Sequence, residues 1–205
     1  MNKQEEKKLK THKLIIEVFW KLYEARDLHT ITVNDIISIC NINRSTFYRH
    51  FQDIYAILEE IESYLMDKTK RLYPVNISSD KDMTNYLYEI YLLYQEDSVY
   101  LRLLVKERKD SKFSNLYRNM LKDKMPAIFY QPAQAQYNTL TNSVLEMLYI
   151  SLVDALIYWA DDKTMTFHDL GQIIRGFYLN GIYPTLRDLY HIKPVYQTET
   201  KDFFS

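Results

Sequence analysis

Apolar residues recur at intervals of three and four along most of the chain, with charged and polar residues between them. This period is typical of amphipathic helices, whereas the strict alternation that marks a half-buried strand occurs in few places. The pattern therefore predicts an all-α protein. The predicted helices cover residues 8–26, 33–40, 44–51, 54–71, 82–95, 98–107, 112–124, 138–160 and 167–190, with a loop at 125–137.

The segment from Thr32 to Phe51, TVNDIISICNINRSTFYRHF, predicts two short helices joined by a tight turn. Thr32, followed three residues later by Asp35, has the pattern of a capping box at a helix N-terminus. Asparagine tolerates left-handed backbone angles and forms local hydrogen bonds, so Asn41 suits the turn and Asn43 can cap the second helix. Because the second helix is rich in cationic and hydroxyl side chains, the segment indicates a helix-turn-helix.

Two motifs within this segment resemble those of the TetR/AcrR family of transcriptional regulators. They are Thr32–Ile36 (TVNDI) and Thr46–Phe51 (TFYRHF), and the resemblance covers roughly residues 10–60. It implies an N-terminal three-helix head that carries the helix-turn-helix, and a larger C-terminal helical body for ligand binding and dimerisation. The expected divisions are a DNA-binding domain at 1–53, a regulatory and dimerisation domain at 54–190, and a frayed tail at 191–205.

The resemblance implies a repressor that binds a palindromic operator in double-stranded DNA as a homodimer and is released by a small-molecule effector. A single bidentate arginine contact discriminates between bases by about 1–3 kcal/mol, so two heads are needed for useful selectivity. An alternative stays open, namely an interaction protein or co-activator that acts mainly through a protein partner. The net charge of −1 and the absence of a lysine that the family often has near Ile54 favour this alternative.

The exposed start and outer face of the second short helix supply the expected DNA contacts, assisted by the dipole of the helix before it. For Tyr48 and His50 the alternative is packing against the first helix, and for Arg49 it is a solvated charge. The expected base-edge contacts are Arg44, Ser45, Thr46 and Arg49, and the expected phosphate contacts are Thr32, Asn34, Tyr48 and His50.

The chain has three glycines, Gly171, Gly176 and Gly181, and all lie inside the last predicted helix. Each costs a helix interior about 1 kcal/mol relative to alanine, and close approach of another helix is the usual compensation. The resemblance implies that the last two helices form a four-helix bundle with those of a second subunit; a kinked helix within one chain is the alternative. The expected dimer contacts are Leu152, Leu156, Ile174, Phe177 and Gly181.

The resemblance also implies that a small ligand enters between the middle helices and shifts the helix at 54–71. A ligand has this effect only if it binds one conformation more tightly than the other. Tyrosine combines an apolar ring with a polar tip and suits such a cavity, but 19 tyrosines in one chain can also simply fill core and surface positions. The expected ligand contacts are Tyr64, Tyr91, Tyr94 and Tyr117.

Composition argues against several other classes of protein. Cys40 is the single cysteine, which excludes an intramolecular disulfide and a thiolate zinc site, and its position predicts a core residue. The five histidines are far apart and three glycines cannot form a phosphate-binding loop, so we expect no enzyme, cofactor or metal site.

Charge and hydropathy complete the expectation. Residues 1–52 carry six Lys and three Arg against four Glu and two Asp, a net charge of +3. The N-terminus lacks an apolar signal segment, and the most apolar window, 144–160, contains Glu146 and Asp154. We therefore expect a cytoplasmic protein without a membrane span.

Overall fold

The computed structural model describes residues 2–72, 80–108, 111–129, 139–161, 164, 166–173 and 176. Within these ranges the regular structure is helical and contains no strand, which confirms the all-α prediction. No helix among the described residues has the length and apolar character needed to cross a membrane. The helices are α1 (Lys3–Ala25), α2 (Val33–Cys40), α3 (Arg44–Tyr48), α4 (Ile54–Arg71), α5 (Asp80–Leu101), α6 (Lys112–Phe129), α7 (Thr139–Asp161) and α8 (Phe167–Ile173).

The chain divides into two compact units, Met1–Tyr64 and Leu65–Ser205, which we call the head and the body. The division lies inside α4, whereas the predicted boundary at residue 53 precedes that helix. The predicted tail at 191–205 lies outside the described residues.

The head is built on apolar side chains from each of its helices. Phe19 of α1, Ile36 of α2, Phe47 of α3 and Ile57 of α4 are all fully buried, and α2 packs on both α1 and α3. Cys40 is 7% exposed, as its position predicted. A five-residue helix such as α3 is unstable alone, so its position depends on the anchoring of Phe47 in this core.

Two helix limits in the head differ from the sequence prediction. α1 begins at Lys3 rather than residue 8, because Asn2 and Glu5 form a capping box at its start. The Asn2 side chain accepts a hydrogen bond from the Gln4 amide, and the Glu5 carboxylate accepts one from the Asn2 amide. α3 ends at Tyr48 rather than Phe51, because the hydrogen-bond spacing shortens after it. His50 N donates to the carbonyl three residues before it, that of Phe47, at 2.8 Å.

In the body, α7 packs against both α5 and α6. The predicted helices at 82–95 and 98–107 form one continuous element, in which α5 bends at Asp97 and passes into a π-helical segment, Arg102–Glu107. The Val105 carbonyl in that segment accepts hydrogen bonds from Ser114 Oγ (3.2 Å) and Arg118 Nη2 (3.1 Å) of α6. A π-helical turn is therefore supported by side chains of the neighbouring helix.

Two further limits concern α6 and α8. α6 continues to Phe129, so Pro126 does not end it and the predicted loop at 125–137 is helical over its first five residues. α8 begins at Phe167 as predicted, and it is described as far as Ile173. The rest of that predicted helix, apart from Gly176, lies outside the described residues.

The last turns of α4 belong to the body and are fixed there by polar contacts. Lys68 Nζ lies 2.7 Å from Asp97 Oδ2 and 2.5 Å from Glu96 Oε2, and the Asp97 side chain is only 6% exposed. Thr69 Oγ1 and Tyr117 Oη, both buried, are 3.0 Å apart. These contacts hold the end of α4 at the bend of α5.

Candidate nucleic-acid interface

The N-terminus of α2 is stabilised by the predicted capping box. Thr32 Oγ1 accepts from the Asp35 amide at 3.2 Å, and Asp35 Oδ2 accepts from the Thr32 amide at 2.8 Å and from the Thr32 hydroxyl at 2.9 Å. Arg26 Nη2 forms an ion pair with the same Asp35 oxygen at 2.8 Å. Sequence analysis missed the role of Arg26, since nothing in its spacing from Asp35 indicates the contact.

These bonds determine what the start of α2 can offer to an anion. Hydrogen bonds from the Thr32 amide and hydroxyl, together with the Arg26 charge, lower the pKa of the Asp35 carboxyl. The hydroxyl proton of Thr32 is engaged by Asp35, so a phosphate contact from Thr32 requires exchange of that bond. Asn34 is exposed in the first turn of α2. In the first turn of any helix, the backbone amides have no carbonyl acceptor within the helix, so they can donate to an anion.

The turn between α2 and α3 depends on asparagine, as predicted. Asn41 ends α2 in the left-handed conformation with φ 51°, and its amide and that of Ile42 both donate to the Ile37 carbonyl. Asn43 caps α3, where its Oδ1 accepts from the Thr46 amide at 2.7 Å. Two asparagines therefore fix the direction in which α3 leaves α2.

α3 carries Arg44, Ser45, Tyr48 and the following Arg49 on its exposed side. The Arg44 guanidinium lies over the Tyr48 ring, 5.9 Å from its centroid, and Tyr48 is 49% exposed. This exposure shows that Tyr48 is not packed into the head against the first helix, which was the alternative expected for it. An arginine on an aromatic ring loses less conformational entropy when it binds than a freely moving one.

Three of the predicted base-contacting side chains are already engaged in local hydrogen bonds. Ser45 Oγ donates to Asn43 Oδ1 at 2.8 Å, and Arg49 Nη2 donates to Thr46 Oγ1 at 2.9 Å. Arg49 still has other N–H donors, since a guanidinium carries five. The structure thus brings Thr46 and Arg49 together on one face, as their i, i+3 spacing implies, and the hydrogen bond between them is the added detail.

His50 is half-buried and packs against the first helix, which was the alternative for this residue. Its ring lies 5.5 Å from that of His12, which stacks on Phe51 at 4.6 Å and donates to Glu60 Oε1 at 2.7 Å. Burial lowers the pKa of His50, and the charges of His12, Lys8 and Arg49 act in the same direction. His50 is therefore mainly neutral at pH 7 and offers a phosphate a hydrogen bond rather than a charge.

A cleft of about 1040 Å³, lined mainly by polar and charged residues, runs beside this face of the head. One wall is the start of α1, including Gln4, Lys7, Lys8 and Thr11. The opposite wall and the floor come from the α2–α3 turn and from Thr46, Arg49 and His50. Sequence analysis missed the α1 wall, although the i, i+3, i+4, i+7 spacing of its four residues marks one helix face.

The residues predicted for the dimer interface are only partly described. Ile174, Phe177 and Gly181 lie outside the described residues, and Leu152 belongs to α7. Leu156 is 3% exposed, so it packs inside its own chain and its surface is not available to a partner. Among the side chains of α7 that the structure describes, the large apolar ones that face outward are Met147, Ile150 and Tyr158, which are 72%, 39% and 64% exposed.

The four tyrosines predicted to bind a ligand occupy different environments. Tyr94 and Tyr117 are buried in the body, whereas Tyr64 of α4 is 48% exposed. Tyr91 is half-buried and lies in an aromatic cluster, with its ring 4.5 Å from that of Trp159 and 5.3 Å from that of Phe167. The structure does not bring the four together as one site.

Comparison with known proteins gives matches over the head and over most of the chain. Residues 15–61 match the family of bacterial regulatory proteins called the tetR family. The chain is 27% identical over 187 residues to the HTH-type dhaKLM operon transcriptional activator DhaS of Lactococcus lactis subsp. lactis (strain IL1403), which covers 89% of this chain and 90% of that protein.

Two further proteins are similar to this chain. It is 29% identical over 99 residues to the uncharacterized HTH-type transcriptional regulator YuxN of Bacillus subtilis (strain 168), which is 46% of this chain and about a third (34%) of YuxN. The crystal structure of a TetR transcriptional regulator from Streptococcus agalactiae 2603V aligns with a TM-score of 0.52 and 20% identity, over 87% of this chain and 97% of that one. The structural likeness supports the same fold.

Proposed function

We propose that this chain, a DNA-binding transcriptional regulator of the TetR family, binds a palindromic operator as a homodimer through the outward face of α3. The observation that carries the proposal is the geometry of α3. Asn43 caps this helix and Phe47 anchors it, while Arg44 and Ser45 remain exposed at its start. A short helix held in this way enters the major groove with its N-terminal residues toward the base edges.

We propose that the exposed residues of α2 and α3 contact two different parts of the DNA. Arg44, Ser45, Thr46 and Arg49 contact base edges, where an arginine bonds guanine in a bidentate manner. Asn34 and Tyr48 contact the phosphates on either side, together with the first amides of α2. Thr32 supports these contacts by capping α2, which fixes the first amides of that helix. His50 offers a phosphate a hydrogen bond from its neutral ring.

Replacing Arg44 by alanine is expected to weaken specific binding by about 5- to 150-fold, the equivalent of one base contact at 1–3 kcal/mol, with a much smaller loss on random duplex DNA. Arg71→Ala, which removes an exposed arginine of the body, is the matched control. Fluorescence anisotropy on a selected operator and on a random duplex measures both losses. Equal losses on the two DNAs would show that Arg44 does not contact bases.

We further propose that α7 contributes the dimer interface through Met147, Ile150 and Tyr158. Exposed apolar side chains that follow one helix face commonly mark an interaction surface. Leu152 and the predicted residues beyond α8, namely Ile174, Phe177 and Gly181, complete the interface in this proposal. Two heads on a twofold body match half-sites about 34–36 Å apart, or a multiple of that distance.

For the effector, we propose a small molecule bound in the body at the aromatic cluster of Tyr91, Trp159 and Phe167. Tyr88 adjoins this cluster, with its ring 5.3 Å from Phe167, and is 46% exposed, so the cluster reaches the surface. Tyr94 and Tyr117 support the body by packing, and Thr69 bonds the Tyr117 hydroxyl. Binding of the effector alters operator affinity only to the extent that it favours one conformation of the body.

The direction of regulation has two candidates. Repression with release by the effector is the first. Activation is the second, because the relative that aligns over 89% of this chain, DhaS, is named an operon activator; activation through contact with a protein partner belongs to this candidate. A reporter gene downstream of a selected site distinguishes them, since loss of the regulator raises expression under repression and lowers it under activation.

The family and the fold are those of transcription regulators rather than of enzymes. We accordingly propose that the protein has no catalytic activity and acts on chromosomal DNA in the cytoplasm. Binding to duplex DNA that weakens steeply with added salt is the first test of the whole proposal, because release of counterions from the phosphates requires that dependence.

A further inference from the structure

The first turns of α1 extend past the apolar core of the head and change character there. Gln4, Lys7, Lys8 and Thr11 lie on the same helix face as Ile15 and Val18, which are 0% and 7% exposed in the core. Beyond the core, toward the N-terminus, the same face carries basic and hydrogen-bonding side chains in place of apolar ones. The capping box of Asn2 and Glu5 keeps these turns helical, so these side chains leave the backbone from one face of the helix.

The basic face of α1 is turned toward the DNA-contacting side of the head. Lys7 and Lys8 line the 1040 Å³ cleft opposite Thr46, Arg49 and His50. The charge of Lys8 is close enough to His50 to lower the pKa of that imidazole. Lys7 and Lys8 form no ion pair within the part of the chain that the structure describes, whereas Lys10, on the other side of α1, pairs with Glu6 at 3.7 Å.

The lining of the cleft identifies the kind of occupant. Ile42 is its one apolar residue, while sites for small organic ligands are mostly apolar. Lys7, Lys8 and Arg49 outnumber the single carboxylate, Glu5, which is itself bonded to the Asn2 amide at 2.9 Å. A polyanionic chain therefore fits the cleft better than a small apolar effector.

We propose that the cleft between the start of α1 and α3 holds the sugar-phosphate backbone of duplex DNA, with Lys7 and Lys8 as phosphate contacts separate from the helix-turn-helix. This inference rests on the proposed function. When α3 enters the major groove, one of the two backbones bordering that groove passes beside α3, through the cleft between α3 and the start of α1. The α1 wall then encloses that backbone from the opposite side and contributes affinity without sequence preference.

The test compares two double variants of α1 on a fluorescent 30-base-pair duplex of random sequence. Lys7→Ala with Lys8→Ala removes the cleft lysines, and Lys10→Ala with Lys13→Ala removes two exposed lysines outside the cleft. Both variants lose the same charge from the same helix, and alanine preserves helix propensity. Anisotropy titrations between 50 and 200 mM salt give the slope of log K against log salt for each protein.

We expect the cleft variant to lower the magnitude of that slope by about 1.8, or about 0.9 for each phosphate contact, and to bind roughly tenfold more weakly per lysine at 0.1 M salt. The control variant is expected to keep the wild-type slope, and Lys7→Arg with Lys8→Arg to restore it. Equal losses in both alanine variants, or no loss in the cleft variant, would overturn the inference while the proposed function stands. A wild-type protein without salt-dependent binding would instead overturn the proposed function.

Discussion

Replacing Met147 and Ile150 together by aspartate is expected to separate the proposed dimer into monomers and to weaken operator binding by about 10²- to 10⁴-fold. A twofold interface meets each substitution twice, so four carboxylates would be desolvated near one another in an apolar contact. A single head then loses the high effective concentration that its partner provides. Sedimentation velocity gives the mass, and anisotropy on a selected palindrome gives the affinity.

The control for this variant is Leu116→Asp, which also puts a carboxylate at an exposed apolar position, here on α6, where Leu116 is 51% exposed. We expect that protein to stay dimeric and to bind normally. Both substituted side chains are at the surface, so we expect the α7 variant to keep its helices. Far-UV circular dichroism checks this. A folded α7 variant that remains dimeric would remove α7 from the interface.

Replacing Lys68 by methionine is expected to destabilise the body by about 3–5 kcal/mol. The Asp97 carboxylate is 6% exposed at the side chain and lies 2.7 Å from Lys68 Nζ, so the substitution removes a cation from a buried carboxylate. Urea unfolding monitored by circular dichroism measures the loss of stability. Adding Asp97→Asn to Lys68→Met is expected to recover most of it, because the buried side chain that has lost its lysine is then uncharged.

Lys70→Met is the control for this effect. Lys70 Nζ lies 3.9 Å from Asp67 Oδ1, with side chains 55% and 66% exposed, and such surface pairs contribute about 0–1 kcal/mol. If both lysine variants lose the same small amount, the Lys68–Asp97 pair does not hold α4 to the bend of α5. In that case an effector in the body would need another route to α4.

The features that sequence analysis predicted correctly are those set by neighbouring residues. Thr32 and Asp35 form the expected capping box, Asn41 takes the left-handed conformation, and Asn43 caps α3, because each depends on groups within three or four positions. The cap of α4 is equally local, since Asp53 Oδ1 accepts from the Ala56 amide at 2.9 Å. Local hydrogen bonding is encoded at a range that sequence spacing can reveal.

The features that were not predicted depend on distant residues. Packing of His50 against the first helix was expected only as an alternative, and its partner there, His12, lies 38 positions earlier in the chain. Asp97 pairs with Lys68 on another helix, and neither partner follows from a period of 3.6 residues. Leu156 and Tyr64 show the same limit, since both lie on apolar helix faces but one is 3% exposed and the other 48%. Hydrophobic periodicity identifies a face of a helix and leaves undetermined what covers it.

The cleft beside α3 could have been inferred in part. The spacing of Gln4, Lys7, Lys8 and Thr11 continues the apolar stripe of α1, and a stripe that becomes basic beyond the core indicates a surface for an anionic partner. What the spacing could not give is the opposite wall, because the position of Arg49 and His50 relative to α1 depends on how the three helices pack.

The central claim is that two identical heads, each reading DNA with α3, are held together by one twofold body. Selection of binding sites from a library of random duplexes by the purified full-length chain tests it most directly. We predict inverted repeats whose half-sites are centred one or two helical turns apart, about 34–36 Å or twice that distance. Recovered sequences without a shared motif, or single half-sites without a twofold partner, would contradict the claim.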